Sequence, residues 1–172
     1  MRILNRQPLP HRVGEELVGS EVVKIRASQI IAWVGLTDPR SAGATPEFKF
    51  PAILDTGHSH NFSIHARHLT AWAGLRVTRL EPQGTLRERG QLLPMRKAVL
   101  WLYPNHLGTK EPRNPPLRLR LPGGIAVYPP ESGFPRLPLI GLRTLQENQL
   151  RLWVDCQRMR VDLWTARRWW LF

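Results

Sequence analysis

The apolar run Phe50-Pro51-Ala52-Ile53-Leu54 ends on Asp55-Thr56-Gly57, and His58-Ser59-His60-Asn61-Phe62-Ser63-Ile64 follows at once. An apolar run of this length, closed by a turn signal, is the pattern of a buried strand. The carboxylate of Asp55 is therefore delivered at a strand exit, partly out of water, where burial and neighbours can move its pKa. Thr56 adds a hydroxyl that can brace the loop, and Gly57 permits close approach of backbone or ligand and a positive φ. Taken alone, the same tripeptide also describes a plain hairpin tip.

A second pattern lies far along the chain, at Leu137-Pro138-Leu139-Ile140-Gly141-Leu142. From there Leu142, Leu145 and Gln149/Leu150 recur at near-helical spacing with no Pro or Gly between, which predicts a short helix. Two further apolar runs, 150–154 and 159–163, read as closing strands. In order and spacing, residues 31–163 resemble the retropepsin-like family of aspartic proteases, the single-lobe enzymes typified by retroviral proteases. The resemblance implies a mainly β, single-lobe acid-protease barrel with a flap hairpin and one short helix near the C-terminus. It implies catalysis by Asp55, with Thr56 and Gly57 supporting the active-site loop. It makes His58, Ser59, Arg89, Gly90 and Ile140 candidates for the substrate cleft, and it implies no cofactor. His58 departs from the family, in which a small residue follows Asp-Thr-Gly. A bulky titratable ring there would narrow the pocket, repel a cationic substrate at low pH or shift the catalytic pKa.

With 172 residues the chain can bury one respectable core but is too short for two homologous lobes. The remaining aspartates, Asp38, Asp155 and Asp162, are not followed by Thr-Gly or Ser-Gly, so the family's second catalytic carboxylate would have to come from a second copy. The resemblance thus implies a homodimer with the site on its two-fold axis, acting on a peptide or protein substrate.

Residues 1–20, with Pro8, Pro10, Gly14 and Gly19, read as an extended N-terminal arm, residues 21–164 as the protease-like domain, and 165–172 as a Trp/Arg-rich tail. Strands are expected within 21–36, at 48–54, at 61–64, at 117–121 and at 125–128, with a helical turn at 65–72. Residues 75–102 are expected to form the flap hairpin, tipped by Arg87-Glu88-Arg89-Gly90, and 103–116 an insertion-like loop of unassigned role. Large apolar residues in the tail are expected to dock on the core or to pair with a second copy, the family's use of terminal strands favouring the latter; Trp with Arg also suits a membrane surface.

Two other classes compete with an enzyme. The same fold can serve as an inactive dimerisation or peptide-binding module. A net charge of +12 also suits a basic nucleic-acid-binding protein, but the arginines are scattered and no nucleic-acid motif accompanies them, so no specific nucleic acid is expected. His58, His60, His65 and His68 invite a metal reading, yet no Cys-x-x-Cys or His-Glu-x-x-His pattern supports it, and no metal is expected. Cys156 stands alone, without an intramolecular disulfide partner. The N-terminal residues lack a signal-peptide core and no stretch is apolar enough to span a membrane, so a cytoplasmic address is expected.

Overall fold

A computed structural model describes residues 1–41, 44–88, 90–106 and 115–166. The chain is mainly β. Its elements run β1 (Arg2–Pro8), β2 (Gly14–Val18), β3 (Glu21–Ile25), β4 (Ile31–Thr37), β5 (Phe50–Asp55), β6 (Phe62–His65), α1 (Ala66–Ala73), β7 (Pro82–Glu88), β8 (Gln91–Arg96), β9 (Val99–Leu102) and β10 (Asn105–His106). They continue with β11 (Leu117–Leu119), β12 (Ile125–Tyr128), β13 (Leu139–Gly141), α2 (Leu142–Glu147), β14 (Leu150–Asp155) and β15 (Arg160–Thr165).

Nine strands form one sheet in the order β11-β9-β4-β5-β13-β6-β12-β8-β7, four form a second in the order β10-β1-β15-β14, and β2 and β3 make a separate hairpin. Most neighbours are antiparallel, but β13 runs parallel to β5 and β12 parallel to β6. Strands β6, β12 and β13 are buried along their whole length. Their near-continuous apolar sequences fit strands covered on both faces. Phe50, Phe62, Ile64, Leu100, Leu102 and Ile125 form the centre of the core, and Ile3, Leu4, Val161 and Leu163 carry it into the second sheet.

Helix α1 is started by His65, whose Nδ1 accepts from the Arg67 backbone N–H at 3.1 Å, and ended by Gly74 in the left-handed region at φ 66°. Its Leu69 and Trp72 face the core, Trp72 meeting Phe50 at a ring separation of 6.1 Å.

Several expectations need revision. The N-terminal twenty residues, read as an extended arm, are extended and paired within the chain: β1 is hydrogen-bonded between β15 and β10, and β2 pairs with β3. The 75–102 stretch is not one hairpin. Residues Val77–Arg79 form a 3-10 turn, Leu80 enters the core, and the hairpin is β7 with β8 alone. Lys97 N–H donates to Glu81 O at 2.9 Å and closes its base, after which β9 leaves to lie between β4 and β11. The apolar Val99-Leu100-Trp101-Leu102 seeks cover on both faces, which a solvent-facing hairpin does not offer. Arg89, the 107–114 stretch and the tail from 167 onward lie outside the described residues.

Candidate active site

Strand β5 carries Phe50, Ala52 and Leu54 into the core and ends on Asp55, which is half-buried. Ile53 N–H donates to Pro138 O at 2.8 Å, and Leu54 N–H to Ile30 O at 2.8 Å, so the strand is gripped on both sides immediately before the carboxylate. Beyond it the chain turns, His58 N–H donating to Asp55 O at 3.1 Å. Gly57 N–H donates to Asp55 Oδ1 at 2.9 Å, which fixes the direction of the carboxylate. Gly57 does not occupy the left-handed region. Its importance is proximity, because a Cβ there would stand 3.3 Å from that same Oδ1. Thr56 is exposed at the crest of the loop.

The loop rests on β13 and α2. Parallel register sets Leu139 beside Ile53, Ile140 beside Leu54 and Gly141 beside Asp55. Gly141 N–H donates to Asn61 O at 2.9 Å, Leu142 N–H to His58 O at 3.2 Å, and Thr144 Oγ1 to Asn61 O at 2.6 Å. The approach is so close that a Cβ on Gly141 would lie 1.8 Å from His60 O and 2.6 Å from His58 O. Only glycine fits there without moving the loop.

The cleft candidates divide. Ser59 is exposed beside the loop, and Gly90 is exposed at the turn of the β7–β8 hairpin with φ 78°. His58 is buried, 6% exposed, with Nε2 2.8 Å from Ser63 Oγ, and is not among the residues that line the cleft at Asp55. Ile140 is 2% exposed and belongs to the core, because alternation along β13 turns it away while its neighbour Leu139 faces the cleft. Arg89 lies outside the described residues.

Asp55 opens on a cleft of about 250 Å³ whose apolar wall is Ile53, Phe134, Leu137 and Leu139 and whose charged rim is Lys24, Arg26 and Arg136. Ile53, Leu137 and Leu139 belong to the two sequence patterns, but Lys24, Arg26, Phe134 and Arg136 were not singled out as site residues, since they lie outside both patterns and share no local motif with them. A further contact links hairpin and loop: Glu88, at the end of β7, accepts from the Tyr128 hydroxyl and lies 3.6 Å from His60 Nε2. Leu93 packs with Ala126 and Tyr128 beneath it.

The histidines do not converge. His65 caps α1 and its Nε2 lies 3.0 Å from Ser132 O, while His68 stacks on Trp72 at 3.7 Å with 6° between the rings. Among the described residues no group of three or more His, Cys, Asp or Glu is arranged to hold a metal ion. Burial, together with the nearby Arg67 charge and His65, lowers the His68 pKa from 6.5 to about 4. Among the described residues no helix is long and apolar enough to cross a membrane.

Comparison with protein-family models, with curated proteins and with solved structures gives no match. The functional reading rests on the residues themselves.

Proposed function

We propose that this chain is an aspartic endopeptidase of retropepsin-like architecture that acts as a homodimer. One observation carries the reading: Asp55 leaves a buried strand with its carboxylate held by Gly57 N–H, on a loop seated against a parallel strand, and faces a cleft with an apolar wall. The β7–β8 hairpin, tied to the same loop through Glu88 and His60, is suited to cover an extended peptide and exclude bulk water. Exposed Thr56 is free to meet its counterpart across a two-fold axis.

In this mechanism two Asp55 carboxylates, one from each copy, share a proton because like charges so close do not both ionise. The ionised member takes a proton from a water molecule as the water oxygen bonds to the scissile carbonyl carbon. The protonated member gives its proton to the carbonyl oxygen. Collapse of the tetrahedral adduct breaks the C–N bond, the amine leaving with a proton from one carboxyl of the pair while a hydroxyl of the adduct returns its proton to the other, which restores the shared proton. The pair, not either residue, owns the two apparent pKa values. A cytoplasmic address belongs to the same proposal.

The test is cleavage of an unstructured peptide mixture by wild type and Asp55→Asn from acidic to neutral pH, with products identified by mass spectrometry. Wild-type cleavage that falls at least about a thousandfold in the variant, with folding unchanged, is the expected outcome. Equal cleavage by both proteins removes Asp55 from the chemistry. A folded dimer that binds peptides and cuts none is a binding module.

A further inference from the structure

The cleft beside Asp55 does not end at Arg136. A second hollow, of about 600 Å³, shares Lys24, Pro135 and Arg136 with it and extends to Arg67 and Trp72 at helix α1. Together they make one groove with Arg26, Lys24, Arg136 and Arg67 spaced along it. All four side chains are exposed, and among the described residues none of them is paired with a carboxylate. The groove holds two carboxylates of its own, and both are engaged: Asp55 accepts from Gly57 N–H, and Glu21 accepts from Trp72 Nε1 at 3.0 Å.

From this juxtaposition of an apolar-walled cleft and four exposed cations that meet no carboxylate among the described residues, Arg67 lying 3.3 Å from His68 Nε2, we infer that the groove selects acidic peptide segments, a cleavable bond lying at Asp55 and glutamate or aspartate side chains lying along Lys24, Arg136 and Arg67. The inference rests on the protease reading for the cleavable bond, but not for the binding. Charge complementarity at exposed cations supplies orientation and discrimination between partners more than raw affinity, which is what a peptide-selective enzyme requires. Nucleic acid is the less suitable occupant. The wall near Asp55 is aliphatic and aromatic, Ile53, Leu137, Leu139 and Phe134, which offers a peptide apolar contacts and a continuous phosphate chain none.

The experiment uses the full chain carrying Asp55→Asn, so that binding is read without turnover, and two labelled peptides of equal length, one with a run of glutamates and one with glutamines in their place. Fluorescence anisotropy is expected to show the glutamate peptide binding about tenfold more tightly at low salt. Adding Arg136→Glu is expected to erase that preference, while Arg118→Glu, an equal charge change on β11 away from the groove, keeps it. Lys24→Glu is a second groove variant, read in the same way, with circular dichroism checking the fold of each. Equal affinity for the two peptides overturns the inference. So does a preference that survives both groove variants, one that Arg118→Glu also removes, or tighter binding of a single-stranded oligonucleotide of the same charge. Cleavage of both peptides by wild type at equal rates removes the acidic preference and leaves the protease reading standing. Acid-selective binding without any cleavage keeps the groove and removes the protease reading.

Discussion

At the scale of single residues, the Asp55 loop is positioned by close approach of backbone to backbone. Gly141 illustrates this, its Cα facing the carbonyls of His58 and His60. We expect Gly141→Ala to cost at least about 2 kcal/mol in denaturant unfolding, because the methyl group must push the Asp55 loop off β13. An unchanged midpoint would mean that the loop gives way freely. Asp55-Thr56-Gly57 and Leu139-Ile140-Gly141 were legible in the sequence because each is a compact local signal. The inward turn of His58 was not, since its partner Ser63 becomes a neighbour only when the loop folds back on β6. His68 carries a pH dependence of its own. Its folded pKa, about 4, lies below the unfolded 6.5, so the unfolded chain takes up a proton first as pH falls. The stability that its neutral ring confers is full above pH 6.5 and is lost progressively down to about pH 4. After allowance for solvent screening this amounts to about 2 kcal/mol. Thermal unfolding across that range should therefore show a falling Tm in wild type and a flatter profile in His68→Phe, which keeps the stack on Trp72. Parallel profiles would place the acid sensitivity elsewhere.

At the scale of elements, periodicity marked most strands and both helices, but not which strands become neighbours. Strands β5 and β6 are consecutive in the chain, and yet β13 is inserted between them. Nothing in an apolar triplet states that it will pair parallel to a strand so distant in sequence. Composition also failed to divide the 75–102 stretch, because the return strand of the hairpin and the buried β9 have similar apolar content. The hairpin's attachment is testable. Tyr128 and His60 both reach Glu88, so Glu88→Ala should release the end of β7 while leaving the packing of Leu93 on Tyr128 in place. Hydrogen exchange of the β7 and β8 amides near Gly90 is expected to quicken about tenfold, with β12 amides unaffected. Uniform exchange across both elements would show that Glu88 holds nothing.

At the scale of the whole molecule, a single core joins the two sheets, and charge is spread over the surface except where the groove gathers it. Strand β1 has β10 on one side and β15 on the other, and β15 is in turn flanked by β14. Strands β1 and β15 are thus paired within their own chain, while the tail expected to meet a second copy lies, from residue 167 onward, outside the described residues. Among the described residues the outer edge of β14 is one open edge, with Trp153 and Val154 exposed on it, and Thr56 is exposed at the crest of its loop. Under the proposed homodimer, a second copy would meet a subunit whose β1 and β15 are already paired rather than one it must complete. Folding and pairing become separate equilibria, which obligate interleaved dimers do not allow. The melting temperature should stay nearly constant on dilution, while specific activity falls with the square-law signature of a dissociating dimer. A melting temperature that drops with dilution would mean that the subunit is not self-sufficient. On the proposed homodimer reading, such an enzyme would be governed by abundance in a cell: newly made chains would fold at any level, persist as inert singles, and become active only where enough of them accumulate.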